Sequence, residues 1–280
     1  MTCEDWDSLF KSDSFTTQYK GDKVTGQFAL SLIDQSNIIA DSRLNSNQPL
    51  VVLDNTCGTG DVSHIIYHEL DDTAKGAWSL TCGDISLGLI ENTRRRAEEE
   101  QWSNVAFEVV DSQQMSLPTA HFTHVFTSFE ACQVLQPGGI LAFSTWIGPG
   151  WVNIVGNAAK TMCGDWPWPT PKAFLEMTQK GEWNSVAWIE SQLYQRNLLN
   201  IKVRAVQKSI SSKVPDFLAV TALILPMVSQ HFWSEKQREK TGEFRRALET
   251  YITDTYGREG DIPMNWVAIL STACKPNLTS

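Results

Sequence analysis

Residues 50–60, which read LVVLDNTCGTG, constrain this chain more than any other stretch. An apolar run that stops at an acid predicts a strand buried on both faces, the pattern of a parallel sheet rather than of a half-exposed hairpin. The small residues from Cys57 to Gly60 then let the backbone bend directly into a helical pattern that begins near Asp61. A buried strand, a glycine turn and a helix make a nucleotide pocket, because ligands of open α/β sheets sit at the carboxyl ends of the strands.

Charge decides which nucleotide. A dinucleotide site places a pyrophosphate on bare helix amides, with glycines at the first, third and sixth places of the turn. Here Gly58 and Gly60 are present, the sixth place is Ser63, and Asp54 and Asp61 put carboxylates where phosphates would sit. A ligand with an amine and a sulfonium suits that field, and S-adenosylmethionine carries both and no phosphate. At these residues the chain resembles the class I S-adenosylmethionine-dependent methyltransferases, whose first motif has the form of VLDNTCGTG. The likeness runs from about residue 15 to about residue 276 through LTCGD at 80–84, THVF at 123–126, STW at 144–146 and DTYG at 254–257. With LDN at 53–55, these residues are similar to the fungal gliotoxin thiol S-methyltransferase group. Thr56 stands where many class I enzymes have a first glycine, so the turn should be one that a residue with a side chain adopts.

The resemblance implies an α/β, Rossmann-like sheet of seven strands with the last one antiparallel, and a helical cap. It implies a single methyltransferase domain over 1–280, with lid helices at 1–48, a cofactor-binding core at 49–146, and cap helices and last strands at 147–280. The implied cofactor is S-adenosylmethionine. Asp54, Thr56, Gly58 and Gly60 would hold its amino-acid end and the turn. Asp84 arrives at the end of a second strand, 78–82, where one carboxylate would accept both ribose hydroxyls. Ile85 would lie on adenine, and Asp111 and Ser112, after a third strand at 104–110, would reach its edge. Tyr19 and Thr25 match the family's lid, and Ser128 ends the fourth strand on the cofactor side.

The helix at 61–70 carries His64 and His68 four apart, a spacing that would place two imidazoles on one metal. The Glu beside the first His of a zinc protease helix is missing and no third ligand is evident, so the pair reads as structural or solvated and no metal is expected. The helix at 87–101, with Arg94–Arg96 and Glu98–Glu100, reads as a solvated face laced by i, i+4 pairs.

The fourth and fifth strands, 122–128 and 139–146, leave only residues 129–138 for a parallel crossover that normally takes a dozen or more. The family's substrate-side helix survives only as its last turns, 131–135. Either the chain itself is shortened here or coding sequence has been omitted, and the pocket wall at Ser128 and Phe129 is affected in both cases.

Tryptophan is rich, eleven in all, and much of it lies after residue 145. Trp146 at the end of the fifth strand, Trp151, and Trp168 on the proline-stiffened loop 165–171 are candidate walls for a flat, partly apolar substrate, while about half of the indoles should be cap core. Strands at 201–210 and 266–274 and cap helices at 215–232 and 235–256 complete the chain.

A net charge of −9 with dispersed acids disfavours nucleic acid and anionic membrane surfaces, which need a basic stripe. The apolar run 217–228, with Pro226 inside it, is shorter than the roughly 18 residues of a membrane helix. Six cysteines without a Cys-x-x-Cys pair, and no signal-peptide pattern, predict reduced thiols in the cytoplasm. The expected partner is a small-molecule metabolite, with the chain a monomer or weak dimer. A thiol, with a pKa near about 8.5, needs no strong base, whereas an alcohol or phenol does. Neither His121 nor His124 matches a base motif, which favours sulfur. The expectation is S-methylation of a reduced epidithiodiketopiperazine-like metabolite, against O- or N-methylation of another metabolite or a silent cofactor-binding protein.

Overall fold

The computed structural model describes residues 24–44, 49–112, 114–127, 129–178 and 181–277, with 43, 44, 129 and 130 as backbone only. Tyr19 and Ser128 therefore lie outside the described residues, as does the side chain of Phe129. Helices α1 (Thr25–Ser36) and α2 (Ile38–Leu44) precede β1 (Val51–Asn55), α3 (Asp61–Glu69), α4 (Asp72–Ala77), β2 (Ser79–Asp84), α5 (Leu87–Glu99), β3 (Val105–Val109) and β4 (Phe122–Phe126). A 3-10 helix (Phe129–Gln133) leads to β5 (Leu135–Gly148), α6 (Gly150–Thr161), α7 (Pro171–Thr178), α8 (Val186–Gln195) and β6 (Leu199–Lys213). The chain ends with α9 (Val214–Phe232), α10 (Glu235–Arg238), α11 (Thr241–Tyr256) and β7 (Asp261–Cys274).

The strands form one sheet in the order β3-β2-β1-β4-β5-β7-β6. β1 to β5 are parallel, and β7 is antiparallel to both β5 and β6, so the predicted seven-strand class I sheet is present. Neighbouring residues of the central strands alternate between its two faces. Val52 and Leu270 enter a core with Phe28, Ile66, Val152 and Phe244, while Leu53 and Ile269 enter the other with Val134, Ile189 and Leu193.

The short crossover closes by a device that arithmetic on α-helices misses. A 3-10 helix rises about 2.0 Å per residue against about 1.5 Å for an α-helix, so five residues return as far as about seven. Ala131 and Val134 are buried on the sheet, and the amides of His121 and Phe122 donate to the Val134 carbonyl at 2.8 and 3.0 Å. Phe122 pairs with Leu135 and His124 with Ile140, so β5 begins four residues earlier than the sequence pattern suggests and absorbs the offset in a bulge. The predicted α-helical remnant at 131–135 is thus corrected to the 3-10 turn at Phe129–Gln133.

Further boundaries shift, among them the strands predicted at 201–210 and 266–274, which are Leu199–Lys213 and Asp261–Cys274. The predicted helix at 235–256 is two helices, the first closed by a Ser234/Gln237 capping box. α9 is a single 19-residue helix that is long and apolar enough to span a membrane by length and composition, in contrast to the shorter run read from sequence. Its apolar surface is used twice within the fold: Phe217, Leu225 and Val228 are core, and Val220, Ile224 and Met227 wall the cavity described below.

Candidate functional site

The turn after β1 is built on left-handed backbone. Gly58 and Gly60 have φ of 58° and 77°, and Thr56 has φ 62°. A β-branched residue rarely occupies this region, so the expectation that the turn suits a residue with a side chain is corrected: Thr56 holds a conformation that favours glycine. Its hydroxyl donates to the Asn55 carbonyl. A Cβ on Gly60 would stand 2.7 Å from Thr93 Cγ2, which is how closely α5 covers the turn. Thr56→Gly is expected to stabilise the protein by about 1 kcal/mol: relief of roughly 1–3 kcal/mol of strain, less up to about 1 kcal/mol of added chain entropy. A urea melt of the two proteins checks this, and a less stable variant would refute it.

Three acids surround the turn. Asp54 Oδ2 accepts from Ser63 N at 3.1 Å and Ser63 Oγ at 2.6 Å. Burial pushes its carboxyl up to about 7 against those two hydrogen bonds, with smaller additions from the charges of Asp61 and Asp84. Asp84 Oδ2 accepts from Gly58 N and Oδ1 from Ser86 N, both at 3.0 Å, and burial raises its pKa as well. Asp61 is neutralised locally. Arg96 donates to its Oδ1 at 3.1 Å and to the Thr59 carbonyl at 3.1 Å, and the Thr25 hydroxyl on α1 donates to Oδ2. Thr25 therefore ties α1 to the turn, and Arg96, read from sequence as solvated, clips the turn to α5.

A cavity of about 530 Å³ opens on this turn, and a second of about 250 Å³ shares Asp54 and Thr56 with it. Of the predicted residues, Thr25, Asp54, Thr56, Gly58, Trp146 and Trp151 line the larger cavity. Gly60, Asp84, Ile85, Asp111 and Ser112 are not among its walls; they follow the carboxyl ends of the neighbouring strands, with Ile85 36% exposed and Asp111 and Ser112 half-buried. Asn55, passed over as a site residue in the sequence, is buried between them: its Nδ2 donates to Ser112 Oγ at 3.1 Å and Thr127 Oγ1 at 3.3 Å, and its Oδ1 has no partner among the described residues.

The aromatic walls differ from expectation. Trp168 does not line the cavity; half-buried, it packs against the core, stacked on Phe244 at 5.7 Å with its Nε1 donating to the Val152 carbonyl at 3.0 Å. Trp166 packs on the same Phe244 at 5.4 Å. The wall opposite the turn is instead Trp146 against Trp266 at 5.1 Å, with Phe28 edge-on to Trp146 at 5.2 Å. Trp266 could have been found from the two-residue alternation of Ile262, Met264, Trp266 and Ala268, all of which are buried. Among the described residues no His, Lys, Glu or Tyr lines the cavity.

A methyltransferase domain family matches residues 52–144, the segment from β1 to β5 that carries the turn and the acids. The acetylaranotin bis-thiomethyltransferase of Aspergillus terreus is 38% identical over 271 residues, covering 96% of this chain and 97% of that protein. Methyltransferase tpcH of Aspergillus fumigatus is 32% identical over 285 residues, covering 96% and 99%. Among solved structures, the Haemonchus contortus phosphoethanolamine N-methyltransferase 2 complex with S-adenosylhomocysteine superposes with a TM-score of 0.56 at 14% identity. That match covers 98% of this chain, which spans 60% of the length of that structure, and it is a likeness of fold.

Proposed function

This chain belongs to the class I S-adenosylmethionine-dependent methyltransferases, and we propose that it methylates the thiols of a reduced epidithiodiketopiperazine-like metabolite. When bound, S-adenosylmethionine supplies a methyl carbon already activated by a positive sulfur. The chain's residues fit such a donor: Asp54 is a buried carboxylate for its cationic end, and Asp84, at the carboxyl end of β2, is a carboxylate for its ribose hydroxyls. Gly58 and Gly60 shape a turn close to a ligand, and Thr25, Thr56, Ile85, Asp111 and Ser112 complete the cofactor side in this proposal. Trp146, Trp151 and Trp266 exclude water from the substrate side, where alignment rather than bond-making assistance is the protein's main task.

The observation that carries the choice of acceptor is the cavity wall. It is apolar and indole-rich, and among the described residues it offers no ordinary base beyond the two carboxylates Asp54 and Asp61, the second of which already receives Arg96. A thiol near pKa about 8.5 is partly thiolate at neutral pH, while a phenol near about 10 would wait for a base. A thiol that enters as thiolate has already left its proton in solvent, so the walls need only align its sulfur with the methyl carbon that the bound donor would supply, the donor keeping the electron pair of the bond it gives up. The relative named for bis-thiomethylation supports a dithiol acceptor and two successive transfers. A cytoplasmic location belongs to the same proposal, since both substrate dithiol and the free cysteines would stay reduced there.

The test is incubation with S-adenosylmethionine and a chemically reduced epidithiodiketopiperazine, followed by mass measurement. One and then two methyl masses are expected on sulfur. Faster methylation of a matched phenol or amine would overturn the thiol assignment.

A further inference from the structure

The sequence places two imidazoles four residues apart on α3, and the fold adds what the sequence alone does not supply, a carboxylate between them. Glu100, at the end of α5, brings Oε2 to 2.7 Å from His64 Nδ1 and 3.1 Å from His68 Nε2. We propose that His64, His68 and Glu100 bind one divalent transition-metal ion of the zinc class. All three ligand atoms lie within 4.8 Å of one another, and the two rings are 4.5 Å apart. Bonds of about 2.0–2.2 Å at tetrahedral angles separate ligand atoms by roughly 3.4 Å, so the two imidazole–carboxylate pairs each open by less than about 1 Å to admit an ion. Two imidazoles and one carboxylate suit zinc, nickel, cobalt or copper rather than magnesium or calcium, and they leave a fourth position for water.

The ligands are also held in place. Arg96 Nε donates to Glu100 Oε1 at 3.1 Å, and Trp102 Nε1 donates to Oε2 at 2.8 Å, so the carboxylate is oriented from both sides before any ion arrives. The same Arg96 is anchored on Asp61 and the Thr59 carbonyl. His68 is exposed and gives an entry path from solvent, with half of its side chain accessible. None of the three ligands lines either cavity at the turn, so the site is separate from the methyl-transfer pocket. Its chemistry is that of a brace: an ion bridging α3 to the end of α5 ties together the two helices that flank the glycine turn.

The full chain, freed of metal, is titrated with cobalt(II) and followed by visible absorption and calorimetry. One equivalent is expected, with a dissociation constant below about 0.1 mM. The spectrum should be that of nitrogen and oxygen ligands, without a thiolate-to-cobalt charge-transfer band. His68→Ala, at an exposed side chain, and Glu100→Gln should each weaken binding about tenfold or more, while His121→Ala leaves it unchanged. Zinc should raise the thermal midpoint of the parent and not of His68→Ala. Equal cobalt affinity in parent and His68→Ala, a thiolate band, or a dissociation constant above about 0.1 mM would overturn the site.

Discussion

Asp84→Ala is expected to weaken binding of S-adenosylhomocysteine by roughly a hundredfold or more, measured by calorimetry on the purified chain. A carboxylate offers about four lone-pair positions. Gly58 N donates to one oxygen and Ser86 N to the other, with the Ile85 amide a further backbone donor, and the proposed role gives the remaining acceptor capacity to the vicinal diol. Each hydrogen bond to a charged group contributes about 1.5–3 kcal/mol, so two of them account for a loss of this size. S-adenosylhomocysteine is the better probe because its sulfur is neutral, which leaves the ribose contribution undiluted by charge. Asp111→Ala, at a half-buried carboxyl beyond β3, should cost less than Asp84→Ala. Asp84 also braces the turn, so the variant's thermal midpoint must be measured alongside. An affinity within twofold of the parent in a folded Asp84→Ala protein would refute the ribose role.

The residues that were legible in the sequence are those whose local chemistry has few alternatives. An apolar run ending in Asp54 and falling into Gly58 and Gly60 has one economical fold, and β1, its turn and α3 appear at 51–69 as the pattern predicts. The acid ending the second strand was legible for the same reason. Arg96 and Glu100 were hidden because Arg94–Arg96 and Glu98–Glu100 are chemically identical runs, and only helical spacing separates their members. Leu89, Thr93, Arg96 and Glu100 fall on one face, and Thr93 donates to the Gly58 carbonyl at 2.9 Å. Arg94, by contrast, lies over the Phe107 ring at 4.6 Å, away from the turn. Trp168 was read as a wall and Trp266 was passed over, because an indole on a stiff loop and one on a strand look alike until Phe244 and the cavity are placed. The crossover was misjudged for a geometric reason: counting residues assumes the rise of an α-helix, and the chain uses the steeper 3-10 turn.

Asp54→Asn is expected to make the empty protein more stable at pH 8 by about 2–4 kcal/mol while weakening S-adenosylmethionine binding. Burial raises the carboxyl from its ordinary 3.8 to about 7 in the folded chain. Between those values the folded protein holds a proton that the unfolded chain has released. The contribution of this group to stability is therefore fully present below pH 3.8 and is lost as pH rises through about 7. The full displacement corresponds to an upper figure of roughly 4 kcal/mol. Asparagine removes the ionisation and still offers an acceptor to Ser63, so urea melts should show the variant's advantage widest at pH 8 and shrinking toward pH 4. The donor inverts this balance. Its cationic end favours the ionised carboxylate, so the parent's affinity for S-adenosylmethionine should climb as pH rises toward 7, and binding at pH 6 should release close to one proton, read from the buffer dependence of the calorimetric heat. In Asp54→Asn both effects should vanish. A variant less stable than the parent at pH 8, or a parent whose affinity is flat from pH 6 to 8 with no proton released, would show that the carboxylate is matched by the protein itself and not reserved for a cationic ligand.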